Sequence, residues 1–340
     1  MRPLGLLCVP LAFCAAYRKT YRLVVFKNSR TGSTWMADML NHEPAVDFFA
    51  HEANNCFHRR GSDPRALRFV QNDTFHTFLG ILGAPRCNMS CIETDHFGVP
   101  KMAAEAAVDP RSRPECLADK IVGFDVAADH VLRDGAPALS WDLHWPFLLK
   151  LPDVFSVVYA RSNLVKRAVS ARHVDVFQQL CFGTHKVVSE KAHACYEQHK
   201  AELDAPLDVS GEWIVKHANA DATHWVELLE NVTEASGAPP FVMFYENLLV
   251  DPKKELERLF RAVGLGRHGS DVDVVAQSTS LKITSDDLRL QIADFAAVEA
   301  DLDKEDPCLG DMLRDTSDVV YADICLPHRK RVPWEPARAA

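Results

Sequence analysis

The chain has no apolar stretch long enough to cross a bilayer, no internal repeat and no long low-complexity segment. Its most apolar run, Leu4 to Ala16 (LGLLCVPLAFCAA), falls short of the ~20 residues a membrane-spanning helix needs, so no transmembrane span is expected. It also lacks excess positive charge. The formal net charge is −9, which argues against a general nucleic-acid binder and leaves only local basic clusters to meet an anionic ligand. A nucleotide-kinase phosphate loop is missing too. The pattern G-x-x-x-x-G-K-[ST] would need a glycine at position 27 and a lysine at position 33, where the chain has Lys27 and Ser33.

What is present suits a large α/β protein. With 340 residues, 47% of them hydrophobic and 25% charged, the chain can form one large domain with insertions, or two small ones. Apolar runs rich in β-branched residues predict strands at 23–26, 45–50, 121–126, 154–160 and 241–245. Between them lie helical patterns from Ser33, over 141–149, from Asn163, and over 212–234. A helix over 252–263 has Pro252 at its start and Gly264 just past its end. A last helix is expected from about Thr284 to Leu302, followed by a tail wrapping the surface. Strands and helices alternate five times. The expected fold is α/β: a P-loop-type three-layer sandwich with a central parallel sheet of about five strands and helices on both faces.

The most informative stretch is Tyr21 to Asn41, YRLVVFKNSRTGSTWMADMLN. A strand, a polar loop (Asn28 to Thr34) and a helix N-terminus together form an anion site, because free N–H groups and the positive end of the helix dipole converge there. Gly32 allows close backbone approach, Ser33 and Thr34 carry hydroxyls, and Arg30 adds a fixed cation. An ordinary strand–turn–helix with a capping hydroxyl fits this stretch as well.

Arg30-Thr31-Gly32-Ser33-Thr34-Trp35 resembles the 5′-phosphosulfate loop of sulfotransferases that use 3′-phosphoadenosine 5′-phosphosulfate (PAPS), with arginine where many members have lysine. The resemblance implies that this loop holds the 5′-phosphosulfate and that Trp35 packs on the adenine. A second match lies at the fourth strand. Arg161 ends the strand and Ser170 follows on the next helix, similar to the 3′-phosphate motif of the same family, with a spacing of nine that is one longer than in many cytosolic members. A guanidinium and a hydroxyl can grip a phosphate from two sides. The alternative is an exposed basic helix face with Ser170 solvated. Phe244-Tyr245-Glu246-Asn247-Leu248-Leu249-Val250-Asp251-Pro252 resembles a third family segment, which implies that Tyr245 lies near the adenine. Ser280 to Leu288 resembles a loop that closes over the nucleotide, with Lys282 as a phosphate contact. The matches fall in the family's order over residues 21 to about 302, and they are closest to its trehalose and carbohydrate sulfotransferase-like branch.

The implied reaction is sulfuryl transfer from PAPS to an acceptor hydroxyl, most simply on a glycan, without a metal. Proton removal needs a base. Glu52, past the second strand, stands where some carbohydrate-modifying members place a catalytic glutamate; His130 and His51 are the alternatives, and Glu52 as a solvated loop carboxylate is another. Asp125 occupies a strand position where relatives often show lysine. A P-loop phosphotransferase and a non-catalytic nucleotide-binding glycoprotein are the rival readings.

Residues 1–16 read as a signal peptide or a short N-terminal anchor, with a buried N-terminal segment or a truncated start as alternatives. Residues 17–340 then form a single sulfotransferase domain with insertions at about 56–118 and 175–210. Without residues 1–16, eight cysteines remain, at 56, 87, 91, 116, 181, 195, 308 and 325. The even number fits four disulfides without fixing their pairing, and the clustering suggests local bridges such as Cys181–Cys195 and Cys308–Cys325, with some pairing among Cys56, Cys87, Cys91 and Cys116. A zinc site from Cys87, Cys91 and His96 lacks a clear fourth ligand. With sequons at Asn72, Asn88 and Asn231, these features favour the secretory pathway and the Golgi lumen, with secreted and cytoplasmic placements as alternatives.

Overall fold

The computed structural model describes residues 20–28, 31–43, 46–49, 120–127, 141–151, 153–181, 190–264, 287–316 and 320. Five strands form one sheet: β1 (Thr20–Lys27), β2 (Val46–Phe49), β3 (Lys120–Ala127), β4 (Val154–Ala160) and β5 (Phe241–Phe244). Every pairing is parallel and the order is β2-β3-β1-β4-β5. Leu23, Val24, Val25 and Phe26 are all fully buried. A strand covered on both faces has no polar side to alternate, which is why it reads as one continuous apolar run.

The helices supply the two outer layers. On one face Leu23, Val25, Val157, Tyr159 and Met243 pack against α1 (Ser33–His42) and, beyond the short α7 (Tyr245–Val250), against α8 (Pro252–Val263). On the other face Val24, Phe26, Phe124, Val158 and Phe244 meet α2 (His144–Leu149) and the C-terminal half of α6 (Gly211–Ser236). Phe26 is clamped by Trp141 and Trp145, with ring centroids 5.4 and 4.9 Å away. The three-layer sandwich is therefore the observed architecture. Helix ends follow local chemistry. Asp251 caps α8 by accepting from the Lys254 N–H at 3.0 Å, Pro252 opens it, and Gly264 ends it at φ 93°.

A third apolar cluster joins α3 (Leu164–Cys181), the first half of α6, a 3-10 turn (Leu288–Leu290), α9 (Phe295–Glu305) and α10 (Pro307–Arg314). Here the structure corrects the sequence reading twice. The expected last helix is broken: Gln291 closes the 3-10 turn, and α9 starts afresh where Asp294 accepts from the Ala297 N–H. The expected surface tail is helical at 307–314 and buries Leu309, Met312 and Leu313. The strand expected through Tyr245 stops at Phe244, and Tyr245 opens α7 instead.

α3 runs through the start of the segment expected as a second insertion, which continues in α4 (Glu190–Gln198) and α5 (Lys200–Leu203). Cys181 and Cys195 are bonded across it, as their clustering suggested, and Cys308 is also in a disulfide. Asn231 sits within α6, not in a loop. Residues 1–16 and 56–118, Cys325, the sequons at Asn72 and Asn88, and Cys87, Cys91 and His96 lie outside the described residues. Among the described residues no helix is long and apolar enough to cross a membrane.

Candidate functional site

The strand order decides where a ligand can bind. The chain leaves β1 towards β2 on one side of the sheet, and it leaves β4 towards β5 on the other. β1 and β4 are hydrogen-bonded neighbours, so a crevice opens between their C-terminal ends, the usual ligand position in an open parallel sheet. Both candidate anion motifs begin there: the loop carrying Gly32 follows β1, and Arg161 follows β4.

Gly32 adopts the left-handed conformation (φ 77°, ψ 20°) and is the N-cap of α1. It has no side chain with which to cap the helix; the Trp35 N–H turns back to the Gly32 carbonyl at 3.1 Å, and the N–H groups of residues 33 and 34 come ahead of it at the helix start. Its Cα lies against an aromatic ring: a β-carbon there would come within 2.5 Å of Tyr245 Cε2. The same ring meets the other motif, because the Arg161 guanidinium carbon lies 4.8 Å from the Tyr245 centroid. Trp35 approaches Tyr245 edge-on at 6.1 Å. Tyr245 thus links the glycine turn to the arginine. Thr31 is buried and ties the loop to itself, its hydroxyl donating to the Asn28 carbonyl at 3.0 Å.

The Arg161 turn is held from below. Glu246, 1% exposed, accepts from the Ser162 N–H at 3.1 Å with one carboxylate oxygen and from the Asn163 N–H at 3.0 Å with the other. Asn163 accepts from the Lys166 N–H at 2.9 Å, capping α3, while its amide donates to the Met312 carbonyl at 2.8 Å. Ser170 is half-buried on α3, about 9 Å along the axis from the helix start at 1.5 Å per residue.

Lys166 and Arg167 do not form an exposed basic face. They are 3% and 6% exposed and pair with Asp315 and Asp221. Those cations join α3 to the chain after α10 and to α6, whereas Arg161 lies over the Tyr245 ring.

Two features of the floor escaped sequence reasoning. Lys27, at the end of β1, pairs with Asp125 of β3 at 2.7 Å and donates to Ser33 Oγ at 2.7 Å. The unusual acid therefore has a buried cation beside it. The only sequence signal was a lysine closing an otherwise apolar strand. Tyr159 lies in register with Lys27 on β4, wholly buried, with its hydroxyl unpartnered. Burial first, then the neighbouring Tyr245 and Glu246, holds its pKa well above the usual phenol value, so it remains neutral. One turn past Ser170, burial lowers the His173 pKa against an opposing hydrogen bond with Gln291, so that ring is neutral at pH 7.

Arg30, Glu52, His51, His130 and Lys282 lie outside the described residues, as does the Thr34 side chain. Of the described candidates, Gly32, Trp35 and Arg161 all meet the Tyr245 ring, and Thr31 and Ser33 flank Gly32 in sequence. A buried Asn28 amide oxygen without a partner, at the mouth of the loop, is the kind of atom a ligand or water satisfies. Among the described residues no cluster of three His, Cys, Asp or Glu could hold a metal.

No protein-family model and no curated protein matches the chain. Solved structures do resemble it: it is similar to a sulfotransferase from Alicyclobacillus acidocaldarius (14% identity over 87% of this chain and 97% of that one, TM-score 0.38), to a sulfotransferase from Mycobacterium avium (14%, 84% and 76%, TM-score 0.31) and to a sulfotransferase domain from the curacin biosynthetic pathway (11%, 84% and 90%, TM-score 0.32).

Proposed function

We propose that the protein transfers the sulfuryl group of PAPS to an acceptor hydroxyl on a carbohydrate, releasing 3′-phosphoadenosine 5′-phosphate. The observation that carries this reading is the Tyr245 ring between Gly32 and Arg161: two anion-binding turns, on adjacent strands, share one aromatic wall. Two candidate anion sites flanking one aromatic ring suit a ribose phosphorylated at both its 3′ and 5′ positions, with its base set against the aromatic side chains. The open α1 N-terminus, with Arg30, Thr31, Ser33 and Thr34, would hold the 5′ end. Arg161 and Ser170 would hold the 3′-phosphate, and Lys282 would close over it. Trp35 and Tyr245 would flank the adenine.

PAPS supplies an activated sulfuryl group: the acceptor oxygen bonds to sulfur as the bond from sulfur to the 5′-phosphate oxygen breaks, and that oxygen keeps the electron pair. The chain must stabilise the growing charge on the phosphate, which is the work of Arg30 and the α1 amides. It must also take the acceptor's proton, a role assigned to Glu52, with His130 and His51 as the replacements. The apolar N-terminal run and the Cys181–Cys195 bridge favour the oxidising secretory pathway and the Golgi lumen.

Calorimetric titration with 3′-phosphoadenosine 5′-phosphate tests the nucleotide assignment. Losing a charge-assisted contact in Arg30→Ala is expected to weaken binding about tenfold or more, and Ser170→Ala about threefold to tenfold. Unchanged affinity in both variants removes the assignment. Transfer of labelled sulfate from PAPS to fractionated glycans, proteins and metabolites tests the reaction. Binding without transfer to any fraction would favour a non-catalytic nucleotide-binding glycoprotein, and ATP turnover with Mg²⁺ a phosphotransferase. Glu52→Gln is expected to lower turnover by about 10²- to 10⁴-fold while nucleotide affinity survives; near-normal turnover moves the base role to a histidine.

A further inference from the structure

The Lys27–Asp125 pair lies directly beneath the glycine loop and belongs to none of the matched motifs. Lys27 is 2% exposed and Asp125 1%. Burying either charge alone is costly, and together they tolerate the interior. β1 and β3 bring them together: Val25 is in register with Asp125, and Lys27 is one alternation further along the same face of the sheet. The ammonium then extends to Ser33, the first residue of α1, and donates to its Oγ at 2.7 Å.

That contact fixes the polarity of the serine. An ammonium has three N–H donors and no acceptor, so Ser33 Oγ must accept from it. The hydroxyl hydrogen is left for an acceptor outside the pair, and accepting from a cation makes that O–H a stronger donor. The hydroxyl stands at the positive end of α1, beside its leading N–H groups.

We propose that Lys27 is a positioning residue for the nucleotide's 5′-phosphate: it holds the Ser33 hydroxyl as a donor to that phosphate, and Asp125 holds Lys27. The inference rests on the nucleotide reading above. It predicts an effect confined to the 5′ end, which a merely structural pair would not have. The test uses the full chain and two probes, 3′-phosphoadenosine 5′-phosphate and adenosine 3′-phosphate, which lacks the 5′ group. The variants are Ser33→Ala, the apolar pair Lys27→Met with Asp125→Leu, which removes both charges of the pair, and the three changes combined. Ser33→Ala and the apolar pair are each expected to bind the bisphosphate about five- to tenfold more weakly with adenosine 3′-phosphate binding unchanged, and the triple variant to lose no more than either. Equal losses for both probes, additive losses, or bisphosphate binding within twofold of the parent would overturn it. Should near-UV circular dichroism show the apolar pair unfolded, Ser33→Ala alone decides: undiminished bisphosphate affinity overturns the proposal, and a loss selective for the 5′-phosphate supports it. If the parent protein binds neither probe, the nucleotide reading itself fails and takes this inference with it.

Discussion

Gly32→Ala is expected to lower affinity for 3′-phosphoadenosine 5′-phosphate by about 30-fold or more. Two independent costs meet at this position. An alanine at φ 77° bears roughly 1 kcal/mol of backbone strain that glycine avoids. Its methyl would also lie 2.5 and 2.6 Å from Tyr245 Cε2 and Cδ2, too close for any carbon pair. The ring cannot easily yield. It is buried in the cluster with Met36, Leu248 and Leu256, has Trp35 at its edge, and carries Arg161 over its face. Interiors packed this densely respond by displacement of backbone, at about 1–3 kcal/mol. Either the loop lifts away from β4 or the ring turns against Arg161, and both change the distance between the two anion sites. Calorimetry measures the affinity, and urea unfolding separates it from lost stability. Affinity within threefold of the parent would mean that the shared aromatic wall does not set the site's dimensions.

Removing the Glu246 carboxylate should have the largest effect on stability. Glu246→Ala leaves the Ser162 and Asn163 N–H groups buried without their acceptor. Each orphaned donor costs about 1–3 kcal/mol, so about 2–6 kcal/mol of unfolding free energy should disappear, read as a lower urea midpoint at unchanged slope. The same change frees the turn that carries Arg161 and should weaken nucleotide binding at temperatures where the variant is folded. Loss of less than about 1 kcal/mol would show that the turn finds other acceptors and that Glu246 is not what orients it.

Several parts of this molecule were open to reading from neighbouring residues. The strands stand out because a strand covered on both faces leaves a continuous apolar run, as in Leu23 to Phe26 and Val157 to Ala160. α8 declared itself by Pro252 and Gly264. α10 carried the same start signal, Asp306 before Pro307, with the Asp306 side chain accepting from the Cys308 N–H, but its few apolar positions do not reveal which surface they cover. Lys166 and Arg167 resembled a basic patch only because their partners, Asp315 and Asp221, are far away in sequence.

The pattern of residues therefore determined most of the elements and the glycine turn, and it marked the two segments proposed to bind anions, since periodicity, capping and left-handed turns depend on groups a few positions apart. Tertiary structure alone decided that β4 lies beside β1, that Tyr245 stands between Gly32 and Arg161, and that Lys27 meets Asp125 under Ser33. Such neighbours arise from covering both faces of a sheet at once, and that requirement acts mostly between residues many tens of positions apart, where no local pattern records it.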